Sequence, residues 1–145
     1  MPFRFSLAAV LRVRESIEER EERALRKIQL KISRTARQIE ELDVEISGLH
    51  SEREQEMKLP IQAARLRLFL GRLEVSIEKR KALCTQLETL KQDRDQQMAV
   101  YRSAHRNRET LTEMSSKLKD VYELEQDRVD QNTVDEIFIM RRPRG

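Results

Sequence analysis

Two histidines and one cysteine are the side chains from which a metal or nucleophilic site would have to be built. His50 and His105 lie far apart along the chain, and neither has a Cys or His neighbour at ligand spacing. A zinc site needs three or four such groups converging, so both read as solvated or helix-contact histidines. Cys84 recurs in phase with apolar residues and behaves there as a small hydrophobe; nucleophilic chemistry would require a basic partner and a pocket. Glycines at positions 48, 71 and 145 cannot build a phosphate-cradling loop. No catalytic residue, metal, cofactor or small-molecule substrate is therefore expected, and the chain does not read as an enzyme. Glu/Arg alternation such as Glu15 to Arg23 reads as a solvated helix face, each i,i+4 pair contributing a few tenths of a kcal/mol.

Charged residues make up 38% of the 145 residues, against three Gly, three Pro and no Trp, so turn formers are too scarce for a many-element fold. A chain rich in Glu, Arg, Lys, Leu, Gln and Ala with apolar residues in register reads as a coiled coil rather than a disordered segment. The net charge of +3 comes from 29 basic and 26 acidic residues that are interleaved. Nucleic-acid binders gather Lys and Arg on one face, and the only cluster here is Arg141-Arg142-Pro143-Arg144, so no nucleic-acid partner is expected. The lone cysteine fits a reducing compartment. The runs Leu7 to Leu11 and Ile137 to Met140 are far shorter than a membrane span, and the N-terminus lacks the apolar core of a secretory signal. These features predict a soluble, cytoplasmic chain.

Ser6 is placed to cap a first helix, with Phe5 and Val10 as a hydrophobic staple. Leu25, Ile32, Ile39 and Ile46 recur every seven residues, interleaved with Ile28, Thr35, Leu42 and Leu49, which is a sustained coiled-coil contact line. Upstream, Val10, Ile17 and Ala24 suggest a phase slip of one residue. Gly48, the polar stretch Ser51 to Lys58 and Pro60 mark a reversal. The second helix offers Leu66, Leu73, Arg80, Leu87, Arg94 and Tyr101 at one heptad position and Leu70, Ile77, Cys84, Lys91, Met98 and His105 at the other. A further one-residue shift is expected near Leu111, giving Leu111, Met114, Leu118 and Val121. Folding about residue 58 sets Leu49 near Leu68, Leu25 near Gln92 and Leu7 near Thr110, with Gly48 and Gly71 opposed closely enough for a near approach or shared bend. The prediction is an all-α fold, a long antiparallel two-helix coiled coil with the C-terminal helix overhanging. Residues 1–145 would form one hairpin: a helix over about 6–54, a turn over 55–60 and a helix over about 61–140. The second helix outruns the first by about 30 residues, roughly 45 Å. That overhang carries Glu123, Glu125, Asp127, Asp130, Asp135 and Glu136 and ends in Ile137, Phe138, Ile139 and Met140, a candidate docking surface.

The opening Phe3-Arg4-Phe5-Ser6-Leu7-Ala8-Ala9-Val10-Leu11-Arg12-Val13-Arg14-Glu15 resembles that of the flagellar export protein FliJ family. Glu125-Gln126-Asp127-Arg128-Val129-Asp130-Gln131, followed by Val134-Asp135-Glu136, is similar to that family's closing pattern, with the poor helix formers Asn132 and Thr133 inside it. The resemblance implies a coiled coil like the central stalk of rotary ATPases. Such a protein inserts into the hexameric flagellar export ATPase and stimulates it, and links it to the membrane export gate protein and the export chaperones. By this match Arg128, Asp130, Gln131, Asp135 and Glu136 lie on the ATPase-facing end. Near the tip, Gln38, Leu42, Phe69 and Leu73 look like the gate- or chaperone-contacting surface. The location implied is cytoplasmic, peripheral to the inner membrane at the flagellar base. The stalk of a virulence-type secretion system, and a generic scaffold whose overhang pairs with a second copy, are the alternative readings.

Overall fold

The computed structural model describes residues 2–60 and 62–141. It is all-α, with helix α1 spanning Ala8–Glu56 and helix α2 spanning Ala63–Arg141, and there is no strand among the described residues. Tertiary contacts divide the chain into two units, Glu21–Val100 and Met1–Arg20 with Tyr101–Gly145. In each the two helices run antiparallel.

Helix α1 begins two residues after Ser6. A turn closed by the Ala8 N–H on the Phe5 carbonyl (3.0 Å) precedes it, and the first helical bond runs from Leu11 N–H to Leu7 O (2.9 Å). Leu7 therefore takes the cap position that the residue type suggested for Ser6. At the far end Met57 N–H still bonds Arg53 O (2.9 Å) before Leu59 N–H closes a tighter turn on Glu56 O (3.1 Å). Pro60 lies in the connection, where its missing N–H and fixed φ stop the helix. Arg65 then reaches back to Glu56, Nη2 to Oε1 2.7 Å, and ties the two helix ends together.

In the unit Glu21–Val100, the contact line of α1 is the expected one. Leu25, Thr35, Ile39 and Leu49 are buried, with Ile28, Ile32, Leu42 and Ile46 half-buried between them. On α2 only one of the two expected heptad positions holds. Leu66, Leu73, Arg80, Leu87 and Arg94 face the contact, but the second line is Phe69, Ser76, Leu83, Leu90 and Gln97. Leu70 and Ile77, expected inside, are 43% and 38% exposed, and Cys84, Lys91 and Met98 lie half-buried at the edge. Both lines satisfy a 3–4 spacing from Leu66, so sequence spacing alone does not choose between them. The chosen line brings Ser76 to the contact, 4% exposed, as α1 brings Thr35 further along, also 4% exposed. At each place the small side chain leaves room for the facing helix.

The register differs from a fold about residue 58. The cross-helix pairs Glu56–Arg65, Asp43–Arg80 and Glu21–Gln97 centre near residue 60. Gly48 and Gly71 lie almost level in this register but do not meet, because both face away from the contact. A Cβ placed on either would have nothing within 4 Å, neither has a positive φ, and both face solvent. The expected close approach at the glycines is thus replaced by open helix surface.

In the second unit the core is thinner. Ala104 is its buried apolar residue, 6% exposed, flanked by half-buried Leu11, Ile17, Tyr101, Arg108 and Leu111. The expected upstream phase slip does not replace the main line: Val10 is 43% exposed, Ile17 and Ala24 are half-buried beside it, and Glu18, in phase with Leu11 and Leu25, is half-buried on it. Nor does α2 shift phase at Leu111: Met114, Leu118 and Val121 are exposed, and Ser115 and Tyr122 continue the original line. Polar residues hold the register because they are paired across it. Phe3, ahead of α1, lies against Tyr122 with ring centroids 5.6 Å apart. This extends cover along α2 further than helix length predicted, so the overhang starts at Glu123 rather than near Leu111.

Candidate functional site

From Glu123 to Arg141 every side chain of α2 is exposed, and the helix continues unbroken. This arm of 19 residues measures about 28 Å at 1.5 Å per residue. Asn132 and Thr133 do not interrupt it. The Thr133 hydroxyl donates to Val129 O (2.9 Å), and Gln131 Nε2 donates to Asp135 Oδ1 (3.1 Å), so the weak turn is bridged by its own side chains. The arm carries six carboxylates against Arg128 and Arg141. Of the basic cluster at the chain end, residues 142–144 lie outside the described residues.

At about 100° per residue, Arg128, Gln131 and Asp135 share one stripe with Leu124 and Phe138. Asp130 lies about 120° round the helix, on a line with Val134 and Ile137, and Glu136 lies about 120° round in the other direction. The five residues carried over from the family's closing pattern therefore ring the helix and do not form a single face. The apolar residues do the same: Leu124, Val129, Val134, Ile137, Phe138, Ile139 and Met140 are all 45% exposed or more and point around the whole circumference. A helix packing on one flat partner would concentrate them on one stripe.

Nearer the base of the arm, the contact between the helices is ionic. Arg108 Nε donates to Glu18 Oε2 at 2.6 Å, and both side chains are largely covered. His105 Nδ1 lies 3.4 Å from the other Glu18 oxygen, and its Nε2 lies 3.5 Å from Glu109 Oε2. The Arg108 hydrogen bond, aided by His105 and opposed by partial burial, holds the Glu18 carboxyl below its ordinary value. Arg108 is held more firmly charged by the same contact. Position 105 was legible as an interruption in an apolar line. Glu18 was not, because its partner is 90 residues away along the chain.

The second group of carried-over residues lies in the other unit. Gln38 and Leu42 line a shallow groove with Glu41, Glu45, Ala82 and Leu83. Phe69 and Leu73 are half-buried on the contact line of α2. The Asp43–Arg80 ion pair (2.5 Å) sets Leu42 level with Arg80, so Phe69 and Leu73 lie about two to three turns nearer the connection. Gln38 and Leu42 lie one turn apart on α1, and the register does not bring the four residues together. Among the described residues there is no group of His, Cys, Asp and Glu that could hold a metal, and no helix is long and apolar enough to cross a membrane.

Over residues 3–144 the chain matches the family described as flagellar FliJ protein. It belongs to that family. No curated protein and no solved structure matches it. FliJ proteins are components of flagellar protein export, and among the described residues this one is a pair of long helices. The FliJ match covers both the opening segment that packs through Phe3 and the closing segment that forms the arm.

Proposed function

We propose that this chain is the stalk of the flagellar export ATPase. Its C-terminal arm enters the central hole of the hexamer and raises its turnover, and the hairpin links that ring to the membrane export gate protein and to export chaperones. The observation that carries the reading is the arm itself, a continuous helix beyond Tyr122 whose apolar and charged side chains face every direction. A ring surrounds what it binds, and a helix presenting contacts on all sides fits that geometry better than a flat docking face. A single helix about 10–12 Å across also passes an opening that a helix pair would not. Arg128, Asp130, Gln131, Asp135 and Glu136 are the ATPase-facing residues in this reading; Gln38, Leu42, Phe69 and Leu73 face the gate or chaperones. The protein works in the cytoplasm, peripherally held at the inner membrane of the flagellar base. The test is the turnover of the purified export ATPase with the full chain and with a chain ending at Tyr122. Stimulation by the full chain and none by the shortened one is expected; equal stimulation by both would overturn the assignment of the arm.

A further inference from the structure

One face of α2 close to the connection has no partner. Ala64, Leu68, Gly71, Arg72, Val75 and Lys79 line a shallow groove edged by Arg67 and Glu45. Leu68 is 66% and Val75 54% exposed, and Arg67, Arg72 and Lys79 form no ion pair among the described residues. Positions 64, 68, 72, 75 and 79 follow the i, i+4, i+8, i+11, i+15 spacing of one narrow helical stripe. It reads apolar, apolar, basic, apolar, basic.

The arm carries a stripe of the opposite sign. Glu123, Asp127, Asp130, Val134 and Ile137 fall on one line at i, i+4, i+7, i+11 and i+14, reading acidic, acidic, acidic, apolar, apolar. Laid antiparallel, the two stripes match at four of their five positions. Glu123 meets Lys79, Asp127 lies at Val75 between the flanking cations, Asp130 meets Arg72, Val134 meets Leu68 and Ile137 meets Ala64. We infer that the groove along Ala64 to Lys79 is a docking site for the arm of a second copy of this chain. The occupant comes from another copy because both stripes belong to one continuous helix, Ala63–Arg141. The contact joins the arm of one copy to the groove of another. Exposed ion pairs with a few apolar contacts make it weak and sensitive to salt. Its consequence is that an arm held in a neighbour's groove is withdrawn from any other partner. The inference does not depend on what that other partner is.

Sedimentation velocity of the full chain over a concentration series tests it, with helix content of each variant checked by circular dichroism. The wild type is expected to associate at high concentration and low salt, and to become monomeric at high salt. Arg72→Glu and Asp130→Arg should each weaken association about tenfold or more by placing like charges opposite one another. An equimolar mixture of the two variants should regain it, because each groove then finds an arm of opposite sign. Loss with Asp130→Arg alone, with Arg72→Glu behaving as wild type, would mean that arms pair with arms and would overturn the groove assignment. A wild type that stays monomeric throughout, or a mixture that does not recover, would overturn it as well.

Discussion

Glu18 is the side chain whose environment departs most from what its type suggests. It occupies a position where a coiled coil ordinarily places Leu, and it is tolerated because Arg108 donates to it at 2.6 Å and His105 stands beside it. Its carboxyl is lowered from the ordinary 4.5, so the folded state favours the ionised form. The stability this supplies is complete above about pH 4.5 and is lost as pH falls through the lower folded value. Urea unfolding at pH 7 and pH 3 should therefore show a larger acid-induced loss in the wild type than in Glu18→Gln. Equal losses would mean that other carboxylates carry the effect. Leu25 gives the contrasting case. At 6% exposure its truncation to Ala should cost about 2–3 kcal/mol in the same assay. Val44→Ala, at a position 73% exposed, should change stability by less than about 0.5 kcal/mol.

At the scale of the elements, each helix carries one glycine that neither contact nor conformation requires. Gly48 and Gly71 have helical φ and open space where a Cβ would sit, so alanine at each position removes backbone freedom from the unfolded chain without strain. Gly48→Ala and Gly71→Ala should each stabilise the hairpin by about 0.5–1 kcal/mol in denaturant midpoints, and additively. A loss of stability at either position would show that the helix bends there in solution. The N-terminal segment is an element of a different kind, a short strap that lies on α2 ahead of α1. Its anchor is Phe3 on Tyr122, a ring pair of the type that contributes about 0.5–1.5 kcal/mol beyond the area it buries. Phe3→Ala should speed hydrogen exchange of amides between Leu111 and Tyr122 while those from Leu66 to Gln97 keep their protection. Unchanged exchange near Tyr122 would show that the strap does not cover that stretch.

At the scale of the whole molecule, cover ends at Tyr122 and the arm contributes nothing to the hairpin's core. A chain ending at Tyr122 should unfold at the same denaturant midpoint as the full chain, within about 0.5 kcal/mol, while losing any activity that belongs to the arm. A large drop in stability would instead place the arm in the folded core. The family match over residues 3–144 makes the same division meaningful in the cell, since a component of flagellar export must present some surface to the rest of the machinery.

Two helices, their antiparallel pairing and an overhanging C-terminal helix were legible from heptads, Pro60 and the shortage of turn formers. The α1 contact line was legible in full from Leu25 to Leu49, because there one apolar phase dominates and no alternative competes. On α2, Leu66, Phe69, Leu70 and Leu73 admit two lines, and the choice falls to Ser76 and Ala104, whose small side chains matter only once a second backbone lies against them. The absolute register was likewise undetermined: a shift of a few residues keeps every heptad in place, and only cross-helix pairs such as Asp43–Arg80 and Glu18–Arg108 fix it. Periodicity is a property of one helix, and the sequence determines it. Which residues stand opposite one another is a property of two helices, and only the tertiary structure decided that.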